Sequence, residues 1–209
     1  MDQRIEPLIR NLQKRNIPAV YCSDKDSAAL KVAAMVPQEC TVGISGSVTL
    51  DQLGIVRRLE ARGNQVFNQY KPGISRDENL LLRRQGASAD YFLASANAIS
   101  EKGELVFLSG YGNRTAGITY ASAVIVVCGI NKITATREEA FKRAREYATP
   151  LNCKRLGNWH TPCLADGICR QEICFPPEYR RMCAQVLVIE AEVVPERLKV
   201  VLVGENLGF

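Results

Sequence analysis

Histidine is nearly absent from this chain: His160 is the only one in 209 residues. Any Ser–His–Asp or Cys–His scheme must therefore use that one residue. Aromatic residues are also scarce, at 7% with a single tryptophan, so the core has to be mostly aliphatic, as buried parallel sheets are. Long apolar runs are missing. The longest, residues 121–128, is broken by Ser122 and falls far short of the ~20 residues a membrane span requires. The charged, amphipathic opening residues 1–15 contain no apolar leader core. No membrane partner and a cytoplasmic location are expected. A concentrated basic stripe is lacking too. The net charge of +5 is spread over pairs such as Arg57-Arg58, Arg83-Arg84 and Arg180-Arg181, each with acidic neighbours. Solvated helix surfaces explain these pairs better than a nucleic-acid track does. The surplus still suits a small anionic ligand.

Hydrophobic residues make up 46% and charged residues 23%, an ordinary globular mix at single-domain length. Apolar spacing predicts an opening helix over residues 3–15, with Ile5, Leu8, Ile9 and Leu12 on one face. A short strand is expected at 18–22 and a helix capped by Asp24 after it. Residues 40–44 read as a strand, followed by a helical stretch that stops at Gly63. Further strands are expected at 65–67, 91–94, 104–108 and 123–127. A helix over 75–85 has Leu81 and Leu82 as its apolar stripe. Thr136 and Glu139 form a capping box for a helix that ends before Pro150. Strand and helix alternate through residues 1–150. This predicts an open, mostly parallel α/β sheet with helices on both faces. Residues 151–184 form a cysteine-rich segment, and 185–209 supply C-terminal strands that complete the same domain.

Four turns carry candidate chemistry. In Ser45-Gly46-Ser47, Gly46 permits close approach of a ligand to the backbone, and Ser47 caps a helix whose first N–H groups attract an anion; Thr49 extends this group. A tight turn that binds nothing is the plainer alternative. Asn97, at the end of the 91–94 strand, offers both a donor and an acceptor. The turn beyond it brings Glu101 and Glu104 as candidate general bases or nucleophiles, although solvated turn carboxylates are commoner. In Gly112-Asn113-Arg114, Arg114 is a fork for carboxylate or phosphate. Asn131 and Lys132 follow the 123–127 strand. Glycine, asparagine and hydroxyl residues at several strand ends predict one crevice at the C-terminal edge of the sheet.

Five of the eight cysteines fall in residues 151–183. In a reducing compartment they do not make a disulfide frame. Cys163, Cys169, Cys174 and Cys183 are spaced C-x5-C-x4-C-x8-C, without the C-x2-C pair of a zinc knuckle. An all-thiolate set suits an iron–sulfur cluster of the 4Fe–4S kind, or zinc. His160 or Cys153 is an alternative ligand, and reduced structural thiols are the bland reading. Cys22, Cys40 and Cys128 lie in apolar strands and read as core.

Together the turns resemble the lactate-utilisation (LUD) domain family. The resemblance rests on Gly46-Ser47-x-Thr49-Leu50-x-x-Leu53-Gly54, Asn97-Ala98-Ile99-Ser100 with Gly103, Gly112-Asn113-Arg114 and Gly129-Ile130-Asn131-Lys132-Ile133. It continues through Thr161-Pro162-Cys163, Gly167-x-Cys169 and the ending Val203-Gly204-Glu205-Asn206-Leu207-Gly208, which is similar to a short single-domain branch. The resemblance implies a fold like the sugar-phosphate isomerase and CoA-transferase group. It also implies a link to oxidation of lactate or another 2-hydroxy acid, with iron–sulfur or oxidoreductase subunits as partners. Two departures stand out. Ser109 occupies a place where the resemblance implies an acidic residue, and the cysteine spacings after Cys169 are longer than the branch's compact run. Three roles fit the sequence: an iron–sulfur redox accessory protein, an enzyme acting on a phosphorylated or carboxylated small molecule, or a zinc-stapled assembly module. A homo-oligomer is compatible with each.

Overall fold

The computed structural model describes residues 2–157, 159–169, 174–175 and 180–209. Helix α1 (Ile5–Lys14) buries Ile5, Leu8 and Leu12 along one face, as their helical spacing requires. Strand β1 (Ala19–Cys22) leads to α2 (Lys25–Met35), where the Asp24 carboxylate accepts the Ser27 backbone N–H. After β2 (Val42–Ile44), Ser47 caps α3 (Val48–Leu53) by accepting the Leu50 N–H. The helical stretch expected up to Gly63 is two helices. Gly54, at φ 62°, ends α3 and opens α4 (Ile55–Ala61), a left-handed conformation that glycine adopts without steric cost. Then come β3 (Val66–Phe67), α5 (Arg76–Ala87), β4 (Tyr91–Ala94), β5 (Ala98–Ser100), β6 (Leu105–Ser109), α6 (Asn113–Tyr120), β7 (Ala123–Gly129), β8 (Ile133–Thr134) and α7 (Arg137–Lys142). The remaining elements are α8 (Thr149–Leu156), α9 (Pro162–Asp166), β9 (Gln185–Ile189) and β10 (Leu198–Val203).

Six strands form an all-parallel sheet in the order β1-β10-β7-β4-β2-β3. The open α/β architecture read from the sequence is therefore present. Alternate residues of its central strands go to opposite faces, and both faces are covered. Val124, Val126, Val200 and Leu202 face α1, α6 and the second sheet. Ile125, Val127, Val201 and Val203 face α2, α3 and α4. Two-sided burial is why β7 and β10 read as continuous aliphatic runs.

The second sheet was not anticipated. Its order is β8-β5-β6-β9, and β6 runs antiparallel to both β5 and β9. β5 is three residues long and shares its sequence with what looks like a loop, so only the tertiary pairing identifies it. The first of the C-terminal strands expected within 185–209 ends at Ile189 and pairs here. The outer face of this sheet packs on Ala140, Ala144 and Cys183.

Three local expectations are corrected. Leu81 is 53% exposed and Gly86 is the only buried residue of α5, because that helix meets β2 through glycine. A Cβ on Gly43 would run into the Gly86 carbonyl. The helix opened by Thr136 does not stop before Pro150: a π-helical turn (Arg143–Ala148) carries it into α8, with Pro150 in the first turn. The wider turn and the helix start are where a missing N–H costs least. Cys40 lies in a bend before β2 and is only partly buried.

Candidate functional site

The crevice begins where the strands end. Arg114, from the first turn of α6, reaches under three of these ends. One guanidinium nitrogen donates to Asn97 Oδ1 at 3.1 Å and to the Leu108 carbonyl at 2.9 Å. The other donates to the Gly46 carbonyl at 2.5 Å. Asn97 Oδ1 also accepts the Leu108 N–H. Arg114 thus joins the ends of β2, β4 and β6, and among the described residues no carboxylate pairs with it. Burial pulls its pKa downward, yet a guanidinium stays charged. The charge therefore remains for whatever enters beside it.

A cavity of about 330 Å³ opens in front of Arg114, the size of a small-ligand site. Its wall includes Ser45, Gly46, Asn97, Asn113 and Arg114 from the strand ends. Arg83 and Asn79 enter from α5, Asn152 and Arg155 from α8, and Tyr70, Tyr111, Trp159 and Arg180 from loops. Among the described residues four arginines line this space and no aspartate or glutamate does. Arg83 is held by Asn79 Oδ1 at 2.7 Å and Asn113 Oδ1 at 3.2 Å, and it lies 5.0 Å over the Tyr111 ring. Trp159 and Tyr111 meet at 5.2 Å between ring centroids. The buried Ser45 hydroxyl has no hydrogen-bond partner among the described residues. Asp51, outside the wall, is the carboxylate that senses Arg155, and burial raises its pKa.

A second, smaller cavity of about 40 Å³ also borders Arg114. It shares Gly46, Asn97, Arg114 and Asn152 with the first and adds Ser47, Thr49, Ser95 and Lys132. Lys132 follows β7 on a short 3₁₀ turn (Ile130–Lys132) and is 3% exposed. Its ammonium nitrogen donates to Ser95 Oγ at 2.7 Å and Thr49 Oγ1 at 2.9 Å. Burial pushes its pKa down to about 7, against the opposing pull of Cys128, while Arg143 and Arg114 lower it further. Gly208 covers this group, since a Cβ there would sit 3.4 Å from Lys132 Nζ.

The sequence-predicted residues divide cleanly. Gly46, Ser47, Thr49, Asn97, Asn113, Arg114 and Lys132 come together around the two cavities. Asn131 does not line them. Its side chain accepts the Leu207 N–H at 3.1 Å and donates to the Gly208 carbonyl at 3.3 Å, tethering the C-terminal residues. Gly112, at φ 84°, shapes the turn before α6, and its N–H goes to Ser109 Oγ. Glu101 and Glu104 lie outside both cavities. Glu104 is committed to an ion pair with Arg15 at 2.6 Å and to the Ser100 hydroxyl, which hold its pKa down against burial. The Glu101 backbone is tied to Thr134 and Asn11. The sequence reading missed Tyr70, Arg83, Arg155, Trp159 and Arg180. The available signal was Asn79 and Arg83, four residues apart on an otherwise polar helix face.

The cysteine segment abuts the crevice. Cys153 of α8 and Cys163 of α9 are buried with Trp159 and Met182, and Trp159 and Met182 also line the larger cavity. Hydrogen bonds from Cys153 and Thr161 lower the Cys163 pKa to about 6, while Cys153, the donor, is pushed up. Cys169 and Cys174 are raised by burial and by the charge of Cys183 and Cys163. Even so, among the described residues no three His, Cys, Asp or Glu side chains are grouped to hold a metal ion. Residues 170–173 and 176–179, which link the thiols, lie outside the described residues. His160 is exposed, with φ 44°.

The family described as LUD domain matches residues 5–203. No curated protein matches the sequence. Among solved structures, a DUF162 family protein from Deinococcus radiodurans superposes with a TM-score of 0.52 at 12% identity, covering 97% of each chain. Ribose 5-phosphate isomerase A from Methanocaldococcus jannaschii gives a TM-score of 0.37 at 15% identity, covering 64% of this chain and 66% of that one.

Proposed function

This chain belongs to the LUD domain family, and from that premise we propose that it binds a small carboxylated or phosphorylated metabolite in the arginine-lined crevice. The family's name and the resemblance of the turns favour a 2-hydroxy acid such as lactate, or its 2-oxo product. One observation carries the reading: Arg83, Arg114 and Arg155 line a cavity whose described wall residues include no carboxylate. Converging guanidinium groups repel one another, and an anion relieves that repulsion while accepting several charge-assisted hydrogen bonds. The unpartnered Ser45 hydroxyl supplies one further donor.

Thermal unfolding with phosphate, L-lactate and pyruvate tests the reading. A ligand present at 100 times its Kd adds about 2.7 kcal/mol of stability. Stabilisation by at least one of these anions is expected, and it should be lost in Gly46→Leu, whose side chain is directed into Tyr70 at the cavity wall. Stabilisation that survives in Gly46→Leu contradicts the assignment to this crevice.

A second reading adds a metal at Cys163, Cys169, Cys174 and Cys183. It is supported by the donor chemistry, which is all thiolate, and by the mutual charge sensing of these side chains. Among the described residues the side-chain positions do not themselves make a ligand shell. An iron–sulfur cluster would make the protein a redox accessory beside its ligand, whereas zinc would make the segment an assembly surface. Anaerobic purification followed by iron, sulfide and zinc analysis separates them. Brown protein with iron and sulfide supports the cluster, one zinc per chain supports the staple, and metal-free protein rejects both.

A further inference from the structure

Lys132 is buried chemistry that anion binding alone does not use. We propose that Lys132 is a covalent catalytic residue whose amine forms an imine with the carbonyl carbon of an anionic aldehyde or ketone held in the crevice; this rests on the anion-binding reading above.

The amine borders the smaller cavity, with no carboxylate partner among the described residues, and its hydrogen bonds go to hydroxyl groups, Ser95 Oγ at 2.7 Å and Thr49 Oγ1 at 2.9 Å. An ammonium kept for structure is paired, because an uncompensated buried charge is costly. The smaller cavity, about 40 Å³, admits one functional group of a ligand and not a whole metabolite. Arg114 borders both cavities. It can therefore hold the anionic group of a ligand whose adjacent carbonyl points at Lys132. The groups facing the amine are Cys128 from β7, Arg114 from α6 and Arg143 from the π-helical turn, besides the two hydroxyls. Burial and two neighbouring cations favour the uncharged, nucleophilic form.

The step balances without an outside oxidant or reductant. The Lys132 nitrogen bonds to the carbonyl carbon, and the carbonyl oxygen takes a proton to give a carbinolamine. That oxygen then leaves as water with the remaining amine proton, and the C=N bond forms. The Ser95 and Thr49 hydroxyls are placed to pass these protons. Addition of water reverses the step.

The test incubates the full chain with pyruvate or glyoxylate, with and without sodium cyanoborohydride, and maps adducts by peptide mass spectrometry. In parallel, binding of the same probes is measured calorimetrically without reductant. The expected result is a reductant-dependent adduct at Lys132, on the order of tenfold above any other lysine, with its rate rising as pH passes through about 7. Lys132→Arg and Lys132→Met should both lack it, and the wild-type peptide map decides the matter even if neither variant folds. Binding without a Lys132 adduct overturns the imine and leaves the anion site standing. Equal labelling of surface lysines also overturns it. Absence of both binding and adduct overturns the imine, and if phosphate also fails to bind, the anion site falls with it.

Discussion

At the scale of single residues, two cations are buried without acidic partners among the described residues, and they serve different ends. Arg114 spends its donors on backbone carbonyls and an amide, so it builds the crevice as well as charging it. Lys132 holds only two hydroxyls, and its burial has a thermodynamic signature. Its pKa falls from 10.5 to about 7 on folding. Between those values the unfolded chain carries more protons than the native one, so stability rises with pH across the window from about 7 to 10.5 and the full cost is present below 7. Lys132→Met removes that cost, and the two hydroxyls still pair, Ser95 Oγ to Thr49 Oγ1 at 3.2 Å. The variant should gain about 1–4 kcal/mol at pH 7 and lose the rise in stability toward pH 10.5. Denaturant titrations at pH 6, 8 and 10 measure both. A less stable variant with an unchanged pH slope would mean that the amine is not held as described.

At the scale of elements, the packing of α5 on β2 separates two glycines that look alike in sequence. A Cβ on Gly43 would collide with the Gly86 backbone carbonyl, which cannot swing away as a side chain can. A Cβ on Gly86 would meet Gly43 Cα at 3.4 Å and Phe67 Cβ at 3.5 Å, ordinary contacts. Gly43→Ala should therefore cost about 1–3 kcal/mol by overpacking. Gly86→Ala, in a helix, should be neutral or gain up to about 1 kcal/mol. Chemical denaturation of the two variants checks the contrast, and equal effects would contradict this interface. The same packing explains a failure of pattern reading. Leu81 looked like a core stripe because a stripe of leucines ordinarily meets a sheet. Here close glycine contact takes that role and leaves Leu81 outside. Elsewhere local signals were sufficient: Asp24, Ser47, Ser75 and Thr136 each accept a backbone N–H at a helix start.

At the scale of the whole molecule, the parallel sheet was legible because β7 and β10 are aliphatic on both faces and short caps separate strand from helix. The second sheet was not, since β8 and β9 pair with strands far along the chain and β5 is only three residues long. The crevice followed the same division. Its floor, Gly46, Asn97, Arg114 and Lys132, lies at strand ends and could be read from turn chemistry. Its arginine wall comes from α5, α8 and the cysteine segment, which no local pattern brings together. The two glutamates after Asn97 drew attention for their type, but the fold turns Glu104 onto Arg15. The central claim is that these distant parts converge on an anion. Isothermal titration calorimetry of the full chain with phosphate and pyruvate at low ionic strength tests it most directly. The account predicts saturable binding by at least one of them, weakened by added salt as charge screening requires and abolished when Arg83 and Arg155 are both replaced by glutamate. No binding by either anion, or binding indifferent to that double replacement, would contradict it.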